Sequence, residues 1–151
     1  EQVNFLLTVR DKFSEVMKAM KNIKEVRQQL TDFNARIGKD IPNEIKQKID
    51  TINKQMTAVE EALHQTKAKS GQDVLNYPIR LDDKLASVYN AASAGNTAPS
   101  RQAKEAYAEL AVQTDAELTK LKKIVEEDLL KLNQLIHEKT LPVIGLSKEM
   151  E

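Results

Sequence analysis

Between Leu6 and Ile37 the apolar residues return in steps of three and four: Leu6, Val9, Phe13, Val16, Met20, Ile23, Val26, Leu30, Phe33 and Ile37. Such steps keep one stripe on a single face of an α-helix, whose turn takes 3.6 residues. The spacing therefore predicts a long first helix over about residues 2–37, roughly 50 Å from end to end. An amphipathic rod of that length has to bury its stripe against other helices. Gly38 follows as a candidate C-terminal cap, and Asp40 and Pro42 mark a restart, because proline is tolerated in a first turn and not later.

The same device recurs downstream. Ile45, Ile49, Ile52, Met56, Val59 and Leu63 alternate four and three apart, a seam suited to left-handed packing. They predict a second helix over about 42–67, folded back on the first by the short turn. Ser70 to Pro78 breaks the periodicity and concentrates turn formers, so it reads as a loop whose Pro78 opens a short third helix, 78–93, with Ile79, Leu81, Leu85, Val88 and Ala92 as its apolar face. After a second loop, Ala94 to Pro99, Ser100 is placed to cap a last long helix over 100–138. Tyr107, Leu110, Thr114, Leu118, Leu121, Val125, Leu129, Leu132 and Ile136 trace its stripe, which Asp128, Leu130 and Asn133 thicken or interrupt. Pro142 should end that helix and leave a tail packed by Leu141, Val143 and Ile144. The expected fold class is all-α, an antiparallel helical bundle of three long helices and one short one in a single domain, 1–151.

Composition agrees with helix. The 151 residues include only four Gly and four Pro, and aromatic residues make up 4%. Lys plus Arg and Asp plus Glu are equal at 23 each, scattered along the chain, so no basic stripe points to nucleic acid as a partner. No apolar run approaches the roughly 20 residues of a membrane span. The start, Glu1 to Arg10, lacks the features of a signal peptide, and Glu1 opens inside an amphipathic pattern, which suggests a piece of a longer protein. With no cysteine, thiol catalysis and thiolate metal sites are excluded.

Little in the chain carries chemistry. Glu61 and His64 have the Glu-x-x-His spacing of di-iron carboxylate bundles. A second copy is missing, however, since Gln134 precedes His137. Glu126, Glu127 and Asp128 point about 100° apart in turn and read as a solvated face. Met17, Met20 and Met56 lie on or beside the seams and read as core. Lys18, Lys21 and Lys24 share their helix with Asp11, Glu15 and Glu25, which weakens a membrane-surface reading. No nucleophile relay or phosphate cradle is present, so no catalytic, cofactor or metal residue is assigned. The segment from Gln65 to Leu85 is the most informative. Its Asp73, Asn76, Tyr77 and Arg80 either cap backbone and pair with a carboxylate, or form an interaction surface.

The stretch Gln65-Thr66-Lys67, then Gln72-Asp73-Val74-Leu75-Asn76-Tyr77-Pro78-Ile79-Arg80-Leu81-Asp82-Asp83-Lys84-Leu85-Ala86, resembles a signature near the C-terminus of secreted bacterial sortilin-like proteins with BNR, or Asp-box, β-propellers, often labelled glycosyl hydrolases. Val74 stands where that pattern has proline, and Asp82-Asp83 where it has paired asparagines. A weaker likeness runs through Pro99-Ser100, Thr114 to Leu118, Leu132 to Leu135 and Leu141-Pro142. The resemblance implies a non-catalytic helical accessory domain, periplasmic or extracellular, with the propeller of its own chain or another protein as partner and no cofactor. A self-associating helical protein is the alternative from the residues themselves, and a metal-dependent bundle enzyme the third.

Overall fold

A computed structural model describes residues 2–64, 80–94 and 98–149, with 140–149 described by backbone alone. Every regular element among the described residues is helical, and the fold is all-α. Helix α1 spans Gln2–Ile37, 36 residues, and buries Val9, Val16, Ala19, Ile23 and Leu30 from the predicted stripe and its border. At Gly38 the backbone swings to φ +67°, a left-handed conformation that a residue without Cβ adopts at no steric cost. A single 3₁₀ turn, Gly38–Asp40, follows, and extended Pro42 caps α2, Asn43–Leu63. All six apolar residues of the predicted second seam are buried.

Helix α3 is Leu81–Ser93. It begins three residues after Pro78, because Arg80 is extended (φ −111°, ψ −169°) and acts as the cap; residues 78 and 79 lie outside the described residues, as do 65–67 at the expected end of the second helix. His64, also extended, closes α2 at 63. Helix α4, Arg101–Lys123, starts as expected, with the Ser100 hydroxyl accepting a hydrogen bond from the Ala103 N–H at 3.0 Å. A five-residue π turn, Ile124–Asp128, then leads without a break into α5, Leu129–Glu149.

Two expectations for this last rod need correction. The backbone stays helical past Pro142 to Glu149, so the helix does not end at 138. A proline inside a helix removes one hydrogen bond and crowds the preceding turn, which can bend the rod without ending it. The tail expected of Leu141, Val143 and Ile144 is therefore helical backbone, and its side chains lie outside the description. Second, Val125 of the predicted stripe is exposed while Ile124 and Leu135, outside it, are buried; Leu132 is buried as expected. The π turn, with one residue more than an α turn, moves the seam off the regular stripe at the point where Asp128 and Leu130 disturb it.

Contacts between named residues set the directions of the rods. Gln2 donates to the Ala92 carbonyl at 3.0 Å, while Val9 and Phe13 meet Leu85 and Tyr89, so α3 runs antiparallel to α1. Phe5 meets Tyr107 edge to face at 5.9 Å between centroids. Lys12 reaches Asp115 at 2.6 Å, so α4 runs parallel to α1. Glu44 faces Lys139 at 3.6 Å, and Ala62 lies opposite Glu117, so α2 runs antiparallel to the α4–α5 rod. Helices α2 and α3 thus point the same way and meet end to end, forming one interrupted rod. Successive rods are antiparallel, which leaves the first and last parallel. Their seams share one core, with Ile23, Ile45, Ile49, Met56, Leu63, Leu85 and Leu132 among its fully buried side chains.

Candidate functional site

The polar groups of interest gather at the joint between α2 and α3. His64 is the first residue beyond α2, and its extended backbone turns the ring toward the first turn of α3. There His64 Nδ1 lies 2.6 Å from Asp82 Oδ2. A carboxylate can only accept, so Nδ1 carries the proton and donates. Asp82 Oδ1 accepts the Asp83 N–H at 2.7 Å, one of the N–H groups a helix start leaves without an intrahelical partner. The Asp82 side chain is 6% exposed and that of His64 47%. A buried carboxylate thus has one oxygen on its own helix and the other on the preceding one, at a helix N-terminus that favours negative charge.

Next to this joint an apolar cleft of about 210 Å³ opens between α1 and α3, lined by Val9, Phe13, Leu85, Ala86 and Tyr89 with Arg10 and Asn90 at its edge. Its α3 wall is the second and third turns of that helix, which the Gln65–Leu81 segment leads into. Further along α1, Arg27 Nη1 donates to both carboxylate oxygens of Glu60 at 3.2 Å and Nη2 to the Thr57 hydroxyl at 3.2 Å. That cluster binds α1 to α2, and its Arg27 and Glu60 line a cleft with Met20, Lys21, Lys24, Gln28 and Thr31.

Of the residues singled out by sequence, Arg80 is exposed at the cap of α3; its carbonyl accepts the Lys84 N–H at 3.0 Å, and its side chain pairs with no carboxylate among the described residues. Asp73, Asn76 and Tyr77 lie outside the described residues. His64 turns to Asp82, so its spacing from Glu61 is not what engages it. No group of three or more metal-ligating side chains occurs among the described residues. His137, Glu126 and Glu127 are exposed and Asp128 is half-buried. Met56 is in the core and Met20 packs against it, whereas Met17 is 39% exposed, against the core reading made for it. Lys18, Lys21 and Lys24 are exposed. Lys12 is the lysine that is drawn in, and its pKa lies above the ordinary 10.5. Burial works against its charge, but hydrogen bonds to Asp115 and Glu15 and their attraction outweigh it.

Sequence reasoning missed Asp82. Its only signal was an acid in the first turn of a helix; the histidine that meets it is 18 residues away in the chain. Compared with models of known families, with curated proteins and with solved structures, the chain finds no match.

Proposed function

We propose that this chain is a non-catalytic helical accessory domain of an exported multidomain β-propeller protein, docking onto the propeller or another partner through the face around α3. The likeness of Gln65 to Ala86 to the signature that follows such propellers carries the reading. The apolar α1–α3 cleft supports it, since Leu85, Ala86 and Tyr89 offer a concave apolar surface on the helix that the signature leads into. The non-catalytic part is supported by the carboxylates at the two polar clusters, each with both oxygens already engaged: Asp82 by His64 and the Asp83 N–H, and Glu60 by Arg27. Antibodies raised against this domain test the proposal in the source cell. A secreted or periplasmic polypeptide far heavier than the 17.0 kDa of this chain is expected; a single cytoplasmic species of 17 kDa would end it.

A second reading, self-association, is favoured by Val3, Leu7 and Met17, which are exposed and fall on one side of α1 at helical spacing. Light scattering at micromolar concentration decides it: a dimer that Leu7→Glu dissolves supports self-association, and a monomer at every concentration removes it.

A further inference from the structure

Val3, Leu7, Arg10, Ser14 and Met17 are all exposed and follow one another in steps of four and three along α1, a second seam on the helix whose first seam builds the core. At 100° per residue the five fall within an arc of about 80°, about 120–140° round the helix from buried Val9 and Val16. Arg10 is the one charged member. The next residues on this face, Lys21, Lys24 and Gln28, are polar, so the seam is roughly 21 Å long and Arg10 stands at its middle. Arg10 also forms the edge of the cleft that Leu85, Ala86 and Tyr89 wall on the other side. Seam and cleft are therefore one surface, a groove between α1 and α3.

We propose that this groove takes the α1 helix of a second copy of the chain, the two α1 helices running antiparallel about a two-fold axis that passes beside Arg10 and Ala86. The proposal rests on the self-association reading above and gives it a face and a direction. A two-fold interface uses the same patch on both copies, and this patch matches itself when reversed. With Arg10 at the centre, Val3 and Leu7 on one side come opposite Met17 and Ser14 of the other copy, and each pairing occurs twice. The charges agree. Arg10 holds its neighbour Asp11 loosely, at 3.9 Å with the side chains 61% and 73% exposed; the antiparallel pairing sets Arg10 of each copy against Asp11 of the other. A parallel pairing in register would set Arg10 on Arg10 and Lys18 on Lys18, and like charges facing each other are costly. The chain carries 23 positive and 23 negative side chains, so two copies meet without net repulsion. At the axis the small side chain of Ala86 leaves room for the second copy, and α1 and α3 of both copies close as four helices around the groove.

The chain contains no cysteine, so single introduced thiols and a short bifunctional thiol reagent read which positions meet. Light scattering first establishes the dimer at micromolar concentration; a monomer throughout removes the self-association reading and this inference with it. In the dimer, Arg10→Cys lies beside the axis and should link to itself about tenfold or more faster than Val112→Cys, an exposed position on α4 that serves as the collision control. Val3→Cys alone should not exceed that control, because its two copies are roughly 20 Å apart, whereas an equal mixture of Val3→Cys and Met17→Cys should give linked heterodimer. A dimer in which Val3→Cys links to itself, or in which Val112→Cys links as fast as Arg10→Cys, overturns the direction or the face and leaves self-association standing. If Arg10→Cys is itself monomeric, the mixture decides: linked heterodimer supports the antiparallel pairing, and none overturns it.

Discussion

His64 and Asp82, 2.6 Å apart, join the end of one helix to the start of the next. The pair is asymmetric: the carboxylate is buried and the imidazole half in solvent. Truncating the imidazole leaves a buried acceptor without its partner, the costly way to break such a contact. His64→Ala should therefore destabilise the fold by about 1–3 kcal/mol. Asp82→Asn, which keeps an acceptor of the same shape, should cost less. Urea unfolding of the two variants checks the order, and equal losses would show that the pair does not act as described.

The Lys12 cluster makes the fold sensitive to alkali. Lys12 Nζ lies 2.6 Å from Asp115 and 2.9 Å from Glu15, and its pKa is raised above 10.5. Tyr107 is also raised, above 10.0, by its burial and by the carboxylates near it, with Lys12 opposing. A group whose folded pKa is higher than its unfolded one stabilises fully below the unfolded value and loses that contribution as the pH climbs through the folded one. Melting temperature should therefore fall above about pH 10, and Asp115→Asn should weaken the lysine's part in that fall. A melting temperature that rises as the pH climbs above about 10 would contradict the assignment.

Thr114 is fully buried, and its hydroxyl has no hydrogen-bond partner among the described residues. An unsatisfied hydroxyl costs about 1–3 kcal/mol where it cannot reach water. Thr114→Val keeps the shape and removes the polar atom, so thermal melts should move upward. A lower melting temperature would mean that the hydroxyl has a partner after all.

Gly38 adopts φ +67°, and a Cβ built there meets no atom within 4 Å. The obstacle to substitution is therefore backbone strain, not crowding. Gly38→Ala should cost about 1–2 kcal/mol and Gly38→Asn less, since asparagine enters the left-handed region more readily. Chemical denaturation of both variants reads the difference, and a fully neutral alanine would show that the turn has another conformation open to it.

Helices α1 and α2 were legible in the sequence because their stripes obey one period throughout, and the six seam residues Ile45, Ile49, Ile52, Met56, Val59 and Leu63 are all buried. In the last rod the expected stripe fails at Val125, while Leu132 beyond it is buried and Leu129 and Ile136 pack against the core. Reading Val125 as core assumes 3.6 residues per turn, and the π turn breaks that assumption by a single residue. That α3 continues α2 end to end follows from tertiary contacts such as Gln2 with Ala92, which no local pattern encodes. The histidine at the joint was noticed for its spacing from Glu61, whereas its partner lies 18 residues further on, at the start of the next helix. Of the surface proposed from the Asp73 to Leu85 segment, only Arg80 to Leu85 falls within the described residues, and the apolar cleft behind it comes from α1 and α3 packing together.

Because three rods alternate in direction, α1 begins at one end of the molecule and α5 finishes at the other, with the 101–149 rod roughly 70 Å long. A tensile load applied at those two points would run along the helix axes. The interhelical seams would slide in shear over their whole length, instead of being peeled open one turn at a time. Among small helical proteins that is the mechanically stiffer way to be pulled, and the interruption between α2 and α3 would be the first place for such a rod to yield.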